Sequence, residues 1–134
     1  MTKVLTVGVF DLIHKGHVEL FRRAKELGDY LIVAVQDGDY ILKYKPESQV
    51  CFTTEDRMYM VNAIKYVDET IAYRDVDSIV QQVDFDVFVT GPDQTHGGFQ
   101  RAIEYCNNHG KSHVLLSRTK DVSSTEIKEK FAGK

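Results

Sequence analysis

Two histidines, His14 and His17, flank Lys15-Gly16 within the run Gly8-Val9-Phe10-Asp11-Leu12-Ile13-His14-Lys15-Gly16-His17. Before them, Val4 to Phe10 is rich in strand-forming residues; after them, Val18 to Leu27 reads as a helix. Strand, short turn and helix together present backbone N–H groups and a positive dipole end to an anion. Gly16 lets backbone approach a ligand closely, and two imidazoles add donors at the same turn. The chemistry implied is phosphate binding. Capping or surface roles are the plainer reading of such a pair, and a third ligand at zinc-like spacing is absent.

A second cluster lies near the other end, where Arg118-Thr119 precede Ser123-Ser124-Thr125 at the start of a helix. Hydroxyls there cap the helix, and the capped end is itself an anion site. Arg118 is a rigid fork suited to phosphate or to a base edge. Lys43 and Lys45 flank Tyr44 in a polar stretch, either solvated or placed to neutralise charge on reacting phosphates. Arg57 falls in the first turn of a helix, where a cation opposes the dipole. An anionic partner or an ion pair to a nearby carboxylate would each account for it. Asp11 and Asp93 follow strands, where they hold a ribose or Mg²⁺ or simply cap loops. His96 is a weaker candidate; His109 and His113 read as surface or packing residues.

These groups need a frame, and the apolar runs supply one. Val4–Phe10, Tyr30–Val35, Thr70–Tyr73, Val87–Thr90 and His113–Leu116 have the short, continuous character of strands buried on both faces. Helices are expected at 18–27, closed by Gly28-Asp29, and from Thr54, capped by Thr53 or Thr54, with Met58, Val61, Ala63, Ile64 and Tyr66 as its packing stripe. Further helices are expected at Ser78–Gln82, from Phe99 to Asn108, and from Ser123. Gln36 to Thr53 shows no clear period and reads as an active-site loop. The alternation predicts a single α/β domain over residues 1–134, a Rossmann-like three-layer sandwich around a parallel sheet of five strands. In such a sheet ligands bind beyond the carboxyl ends of the strands. Asp11, His14, His17, Asp93 and Arg118 gather on that rim.

Composition narrows the partners. A formal charge of −3 gives no basic field, so a nucleic-acid polymer is not expected. Cys51 and Cys106 are too few and too far apart for a disulfide framework or a zinc motif. Neither a leader-like stretch nor a membrane-spanning apolar run is found, so a cytoplasmic protein without a membrane partner is expected.

The segment Gly8 to His17 resembles the G-x-F-D-x-x-H-x-G-H motif of the cytidylyltransferase-like nucleotidyltransferases. Arg118-Thr119-Lys120-Asp121-Val122-Ser123-Ser124 is similar to their second motif, R-T-E-G-I-S-T, with Lys-Asp for Glu-Gly and serine for the final threonine. The likeness takes in Glu55-Asp56-Arg57 and Tyr66-Val67-Asp68-Glu69, and within the family it leans toward the small homodimeric enzymes acting on glycerol 3-phosphate. The resemblance implies transfer of CMP from CTP to a small phosphorylated alcohol, with release of pyrophosphate, in envelope or polysaccharide precursor synthesis.

It further implies catalytic roles for His14, His17, Lys43 and Arg118. Nucleotide contacts fall to Gly8, Val9, Phe10, Asp11, Gly16, His17, Lys45, Asp93, Arg118, Thr119, Ser123, Ser124 and Thr125, and acceptor contacts to Arg57, Asp11 and Lys43. No protein-bound metal is implied; Mg²⁺ or another divalent cation would ride on the nucleotide phosphates. Gly91-Pro92-Asp93-Gln94 is more similar to the corresponding loop of archaeal FAD synthetases. ATP as donor, with a sugar phosphate or FMN as acceptor, is therefore the alternative. A nucleotide-binding module without turnover is the remote one.

Overall fold

Runs of apolar residues without polar interruption make strands only where both faces of a sheet are covered, and that is their fate here. The computed structural model describes residues 1–44, 46–47 and 50–117. Strands β1 (Lys3–Gly8), β2 (Tyr30–Gln36), β3 (Glu69–Tyr73), β4 (Val87–Thr90) and β5 (Ser112–Leu115) form one sheet in the order β3-β2-β1-β4-β5. Every pairing is parallel. Helices α1 (Lys15–Lys25), α2 (Gly38–Tyr44), α3 (Thr54–Asn62), α4 (Val76–Gln82) and α5 (Gly97–Asn108) connect them. The expected three-layer α/β arrangement is present.

Alternation along the strands divides the core in two. Leu5, Val7, Ile32, Ala34 and Phe88 face α4 and α5, packing with Val76, Val80, Phe99 and Ala102. Val4, Leu31, Val33, Val35 and Val89 face α1 and α3, packing with Phe21, Ala24 and Val61. From β1 the chain steps outward through β2 to β3, then crosses back to β4 and β5 on the other side. The order therefore reverses between β1 and β4, and it is beyond the carboxyl ends at such a switch point that α/β sheets bind ligands.

Several boundaries differ from expectation: β1 ends at Gly8 rather than Phe10, and α4 and α5 begin at Val76 and Gly97. Helix α1 begins at Lys15 rather than Val18, because the His14 side chain caps it. The stretch Gln36–Thr53 is not all loop. Asp37 accepts the Tyr40 N–H at 3.2 Å, Ile41 is buried, and the seven residues of α2 follow Asp37. Ala63, placed in the α3 stripe by spacing, is exposed at the helix C-cap, whereas Val61 is buried and Met58, Ile64 and Tyr66 pack beside it.

Gly28 does not end α1, which has its C-cap at Glu26. It lets the chain pass close to β1, since a Cβ there would lie 2.6 Å from the Thr2 carbonyl oxygen and 2.8 Å from Val4. Gly28→Ala should accordingly destabilise the protein by about 1–3 kcal/mol, read as a lower urea midpoint with an unchanged slope. An unaltered midpoint would show that the α1–β2 turn moves aside freely.

Candidate active site at the carboxyl ends of the strands

The turn between β1 and α1 is strained. Phe10 (φ 50°) and Leu12 (φ 21°) hold positive φ without being glycine, a conformation that costs on the order of 1–3 kcal/mol per residue and persists only when its surroundings hold it. The Phe10 ring supplies one hold. It lies edge-on to Phe21 at 5.1 Å and to His17 at 5.6 Å between centroids. It also covers Gly8 so closely that a Cβ there would come within 2.7 Å of it.

Asp11, 3% exposed, supplies a second hold by accepting the N–H groups of Cys51 (2.8 Å) and Phe52 (3.1 Å). Of the two readings left open by sequence, loop capping is the one seen.

Arg57 supplies the third. Its side chain is completely buried. Nε donates to the Phe52 carbonyl at 3.1 Å, Nη1 to those of Val9 and Gln36 at 2.8 Å each, and Nη2 to Thr54 Oγ1 at 3.2 Å. Burial pushes the guanidinium below its ordinary range, opposed by the fields of Asp11 and Asp37. The first-turn cation thus has a partner, but neither kind anticipated: it binds neutral carbonyls inside the frame. An acceptor-binding role would need an open guanidinium, and this one is enclosed.

The histidines are both capping groups. His14 is the N-cap of α1, its Nδ1 accepting the Gly16 N–H at 3.0 Å. His17 completes a capping box, its Nδ1 accepting the His14 N–H at 3.2 Å. An imidazole nitrogen that accepts carries no proton, so in both neutral rings the proton is on Nε2. The rings lie 3.9 Å apart between centroids. Burial, and secondarily the neighbouring His14, lowers the His17 pKa to about 4. At neutral pH it is an uncharged donor. Basic residues Arg22, Arg23 and Lys25 sit in the last turn of α1, with no acid in the first, so the helix carries no carboxylate of its own at the dipole end by the histidines.

Other predicted residues gather less tightly. Gly16 is in the first turn of α1, and Val9 is half-buried beside Phe10. Lys43 is exposed in the last turn of α2, whose start is tied to α3 by the Gly38 N–H donating to Thr54 Oγ1 at 2.8 Å. Asp93 is exposed in the loop after β4. Lys45, Arg118, Thr119, Ser123, Ser124 and Thr125, with the helix expected from Ser123, lie outside the described residues. His96 caps α5, accepting the Gly98 N–H at 3.1 Å. His113 meets Thr90 Oγ1 at 2.7 Å, and burial lowers its pKa. Thr54, expected only as a possible cap in place of the observed Thr53, and Gln94 were not expected to bond within the site. Only the Thr-Thr and Gly-Pro-Asp-Gln punctuation hinted at either.

The cytidylyltransferase-like family profile matches residues 5–130. The chain belongs to the cytidylyltransferase-like nucleotidyltransferases. Within this family it is 38% identical to glycerol-3-phosphate cytidylyltransferase of Bacillus subtilis (strain 168), over 99% of each chain. It is 40% identical to an FAD synthase of Ferroglobus placidus, over 98% of this chain and 88% of that one. The fold is similar to the lipopolysaccharide core biosynthesis protein from Thermoplasma volcanium GSS1, with TM-score 0.73, 26% identity and coverage of 91% and 99%. Among the described residues, this cytidylyltransferase-like chain has no helix long and apolar enough to cross a membrane.

Two outcomes follow from the geometry. The folded-state pKa of His17 lies below the ordinary 6.5, so the unfolded chain takes up the proton first on acidification. The stability due to neutral His17 is complete above about pH 6.5 and lost as pH falls toward 4, by up to about 3 kcal/mol. Urea midpoints at pH 7 and pH 4.5 should show this step in the native protein and lack it in His17→Asn. Equal acid sensitivity in both would assign it elsewhere. Arg57→Lys should cost several kcal/mol of stability by leaving buried carbonyls unsatisfied. A stable Arg57→Lys variant with a raised acceptor KM would restore the acceptor-binding role.

Proposed function

We propose that the protein transfers CMP from CTP to a small phosphorylated alcohol of the glycerol 3-phosphate kind, releasing pyrophosphate. The observation that carries this is the His14–His17 capping pair, which sets two Nε2–H groups at a helix N-terminus beside the switch point of a cytidylyltransferase-like fold. Full-length identity to glycerol-3-phosphate cytidylyltransferase supports the choice of nucleotide and acceptor.

In the reaction, an acceptor phosphate oxygen attacks the α-phosphorus. The bond from that phosphorus to the oxygen bridging to the β-phosphate breaks, and its electrons leave with pyrophosphate. The acceptor phosphate is already ionised at neutral pH, so no strong base is needed. Orientation and charge stabilisation do the work. His14 and His17 donate to the phosphate oxygens on which charge grows, while Lys43, from α2, and Lys45 neutralise charge. Gly8, Val9, Phe10 and Gly16 shape backbone against the phosphates. Asp93, Arg118, Thr119, Ser123, Ser124 and Thr125 take the rest of the nucleotide. Asp11 and Arg57 serve by holding the turn that carries the histidines. Mg²⁺ bound through the phosphates would supply further charge neutralisation; among the described residues no three His, Cys, Asp or Glu side chains group to hold a metal themselves. A homodimer is the assembly we expect.

The second reading is adenylyl transfer from ATP to FMN or a sugar phosphate, favoured by the Gly91-Pro92-Asp93-Gln94 loop and by identity to FAD synthases comparable with that to the cytidylyltransferases. Pyrophosphate release measured with CTP and ATP against glycerol 3-phosphate, sugar phosphates and FMN separates the two. Release with CTP and glycerol 3-phosphate is expected. Release only with ATP overturns the proposal, and none with any pair points to a binding module.

His17→Asn keeps an oxygen able to accept the His14 N–H but withdraws the outer donor. It should therefore lower kcat about 10²–10³-fold while the circular dichroism of α1 is retained. Near-normal kcat would remove His17 from the chemistry.

A further inference from the structure

The β1–β4 ladder stops one residue short of the crevice. Its register runs Val4↔Val87, Leu5↔Phe88 and Thr6↔Val89 and then ends, whereas β1 stays paired with β2 as far as Gly8↔Val35. Beyond Thr6 the two strands part, leaving the Val7 carbonyl on one side and the Gly91 N–H on the other without a main-chain rung between them. The Gln94 side chain fills that gap. Its Nε2 donates to the Val7 carbonyl at 2.7 Å, and its Oε1 accepts the Gly91 N–H at 2.9 Å. The Gln94 backbone N–H closes the same loop on the Gly91 carbonyl at 3.1 Å. One carboxamide thus answers a donor and an acceptor of opposite walls, which a carboxylate or an apolar side chain cannot do.

We infer that Gln94 is a positioning residue that sets nucleotide discrimination, because its side chain is the rung fixing the separation between the histidine-bearing turn and the Gly91–Asp93 wall of the crevice. From Val7 the chain runs directly into Gly8, Phe10 and the strained turn. From Gly91, whose Cβ position opens on empty space, it runs to exposed Asp93. A ligand bound between these walls meets a gap set by a side chain three torsions long rather than by the ladder spacing. Removing the rung lets the Gly91–Asp93 loop swing relative to the histidines without disturbing the sheet beneath it. The inference rests on reading the crevice as a nucleoside triphosphate site.

The test compares the native protein with Gln94→Met, which keeps the length and loses both bonds, and Gln94→Asn, which shortens the rung by one methylene. Thermal midpoints, calorimetric Kd for CTP and ATP, and pyrophosphate-release kinetics are measured on each. The expected result is a KM and Kd for the preferred nucleotide raised about tenfold, a smaller change in kcat, and a shifted CTP-to-ATP selectivity ratio. Unchanged selectivity and Kd in well-folded variants overturn the inference while leaving the proposed function standing. So do equal losses for both nucleotides that follow a fall in thermal midpoint. In the native protein the Gln94 side-chain amide protons should shift on nucleotide addition, and absence of a shift in a protein that binds the nucleotide counts equally against the inference. A native protein that binds neither nucleotide overturns both.

Discussion

A single buried guanidinium joins the parts on which the site depends. In a parallel sheet the strands end together at the carboxyl edge, and the carbonyls of the segments leaving it point inward without ladder partners. Arg57 collects three of them, from Val9 after β1, Gln36 at the end of β2 and Phe52 before α3. Its planar fork suits this, whereas a lysine would bring one donor-bearing point to three directions. No carboxylate lies within ion-pair distance of it among the described residues; carbonyl dipoles balance the charge, with Asp11 and Asp37 adding their field. The strained backbone at Phe10 and Leu12 rests on this anchor and on the Asp11 clamp.

Helix capping also fixes the tautomer of both histidines. The ring protons of His14 and His17 sit on Nε2 because their Nδ1 atoms are spent on the Gly16 and His14 N–H groups. That arrangement sets the tautomer before any ligand arrives. It also keeps His17 uncharged at neutral pH, since burial beside a second imidazole penalises a proton. A neutral donor beside the helix dipole favours an anion without placing a buried cation there in its absence.

The same economy of partners governs the far wall. Where β1 and β4 separate, Gln94 replaces the lost rung, and where α2 meets α3, Thr54 accepts from Gly38 and from Arg57. Side chains substitute for main-chain bonds at each place where the sheet opens to form a crevice. Loop residues that look merely polar in one dimension become the spacers of the site.

Residues close together in the chain carried what could be read without a fold. Strands such as Leu31–Val35 were legible because burial on both faces leaves an unbroken apolar run, and the His14-Lys15-Gly16-His17 turn because its capping partners lie within four residues. From those came the α/β class, the strand-end location and the family. Helix α2 was missed because its seven residues are too few to show a period and depend on Asp37 and Thr54 for their start. The direction of Arg57 was beyond reach, since its partners at Val9 and Gln36 lie 48 and 21 positions away. Gln94 answers a carbonyl 87 positions distant. Local patterning determined which elements form and which side chains cap them. Only the packed sheet decided which polar side chains are consumed in holding the frame, because unsatisfied strand-end carbonyls exist only once the strands lie side by side.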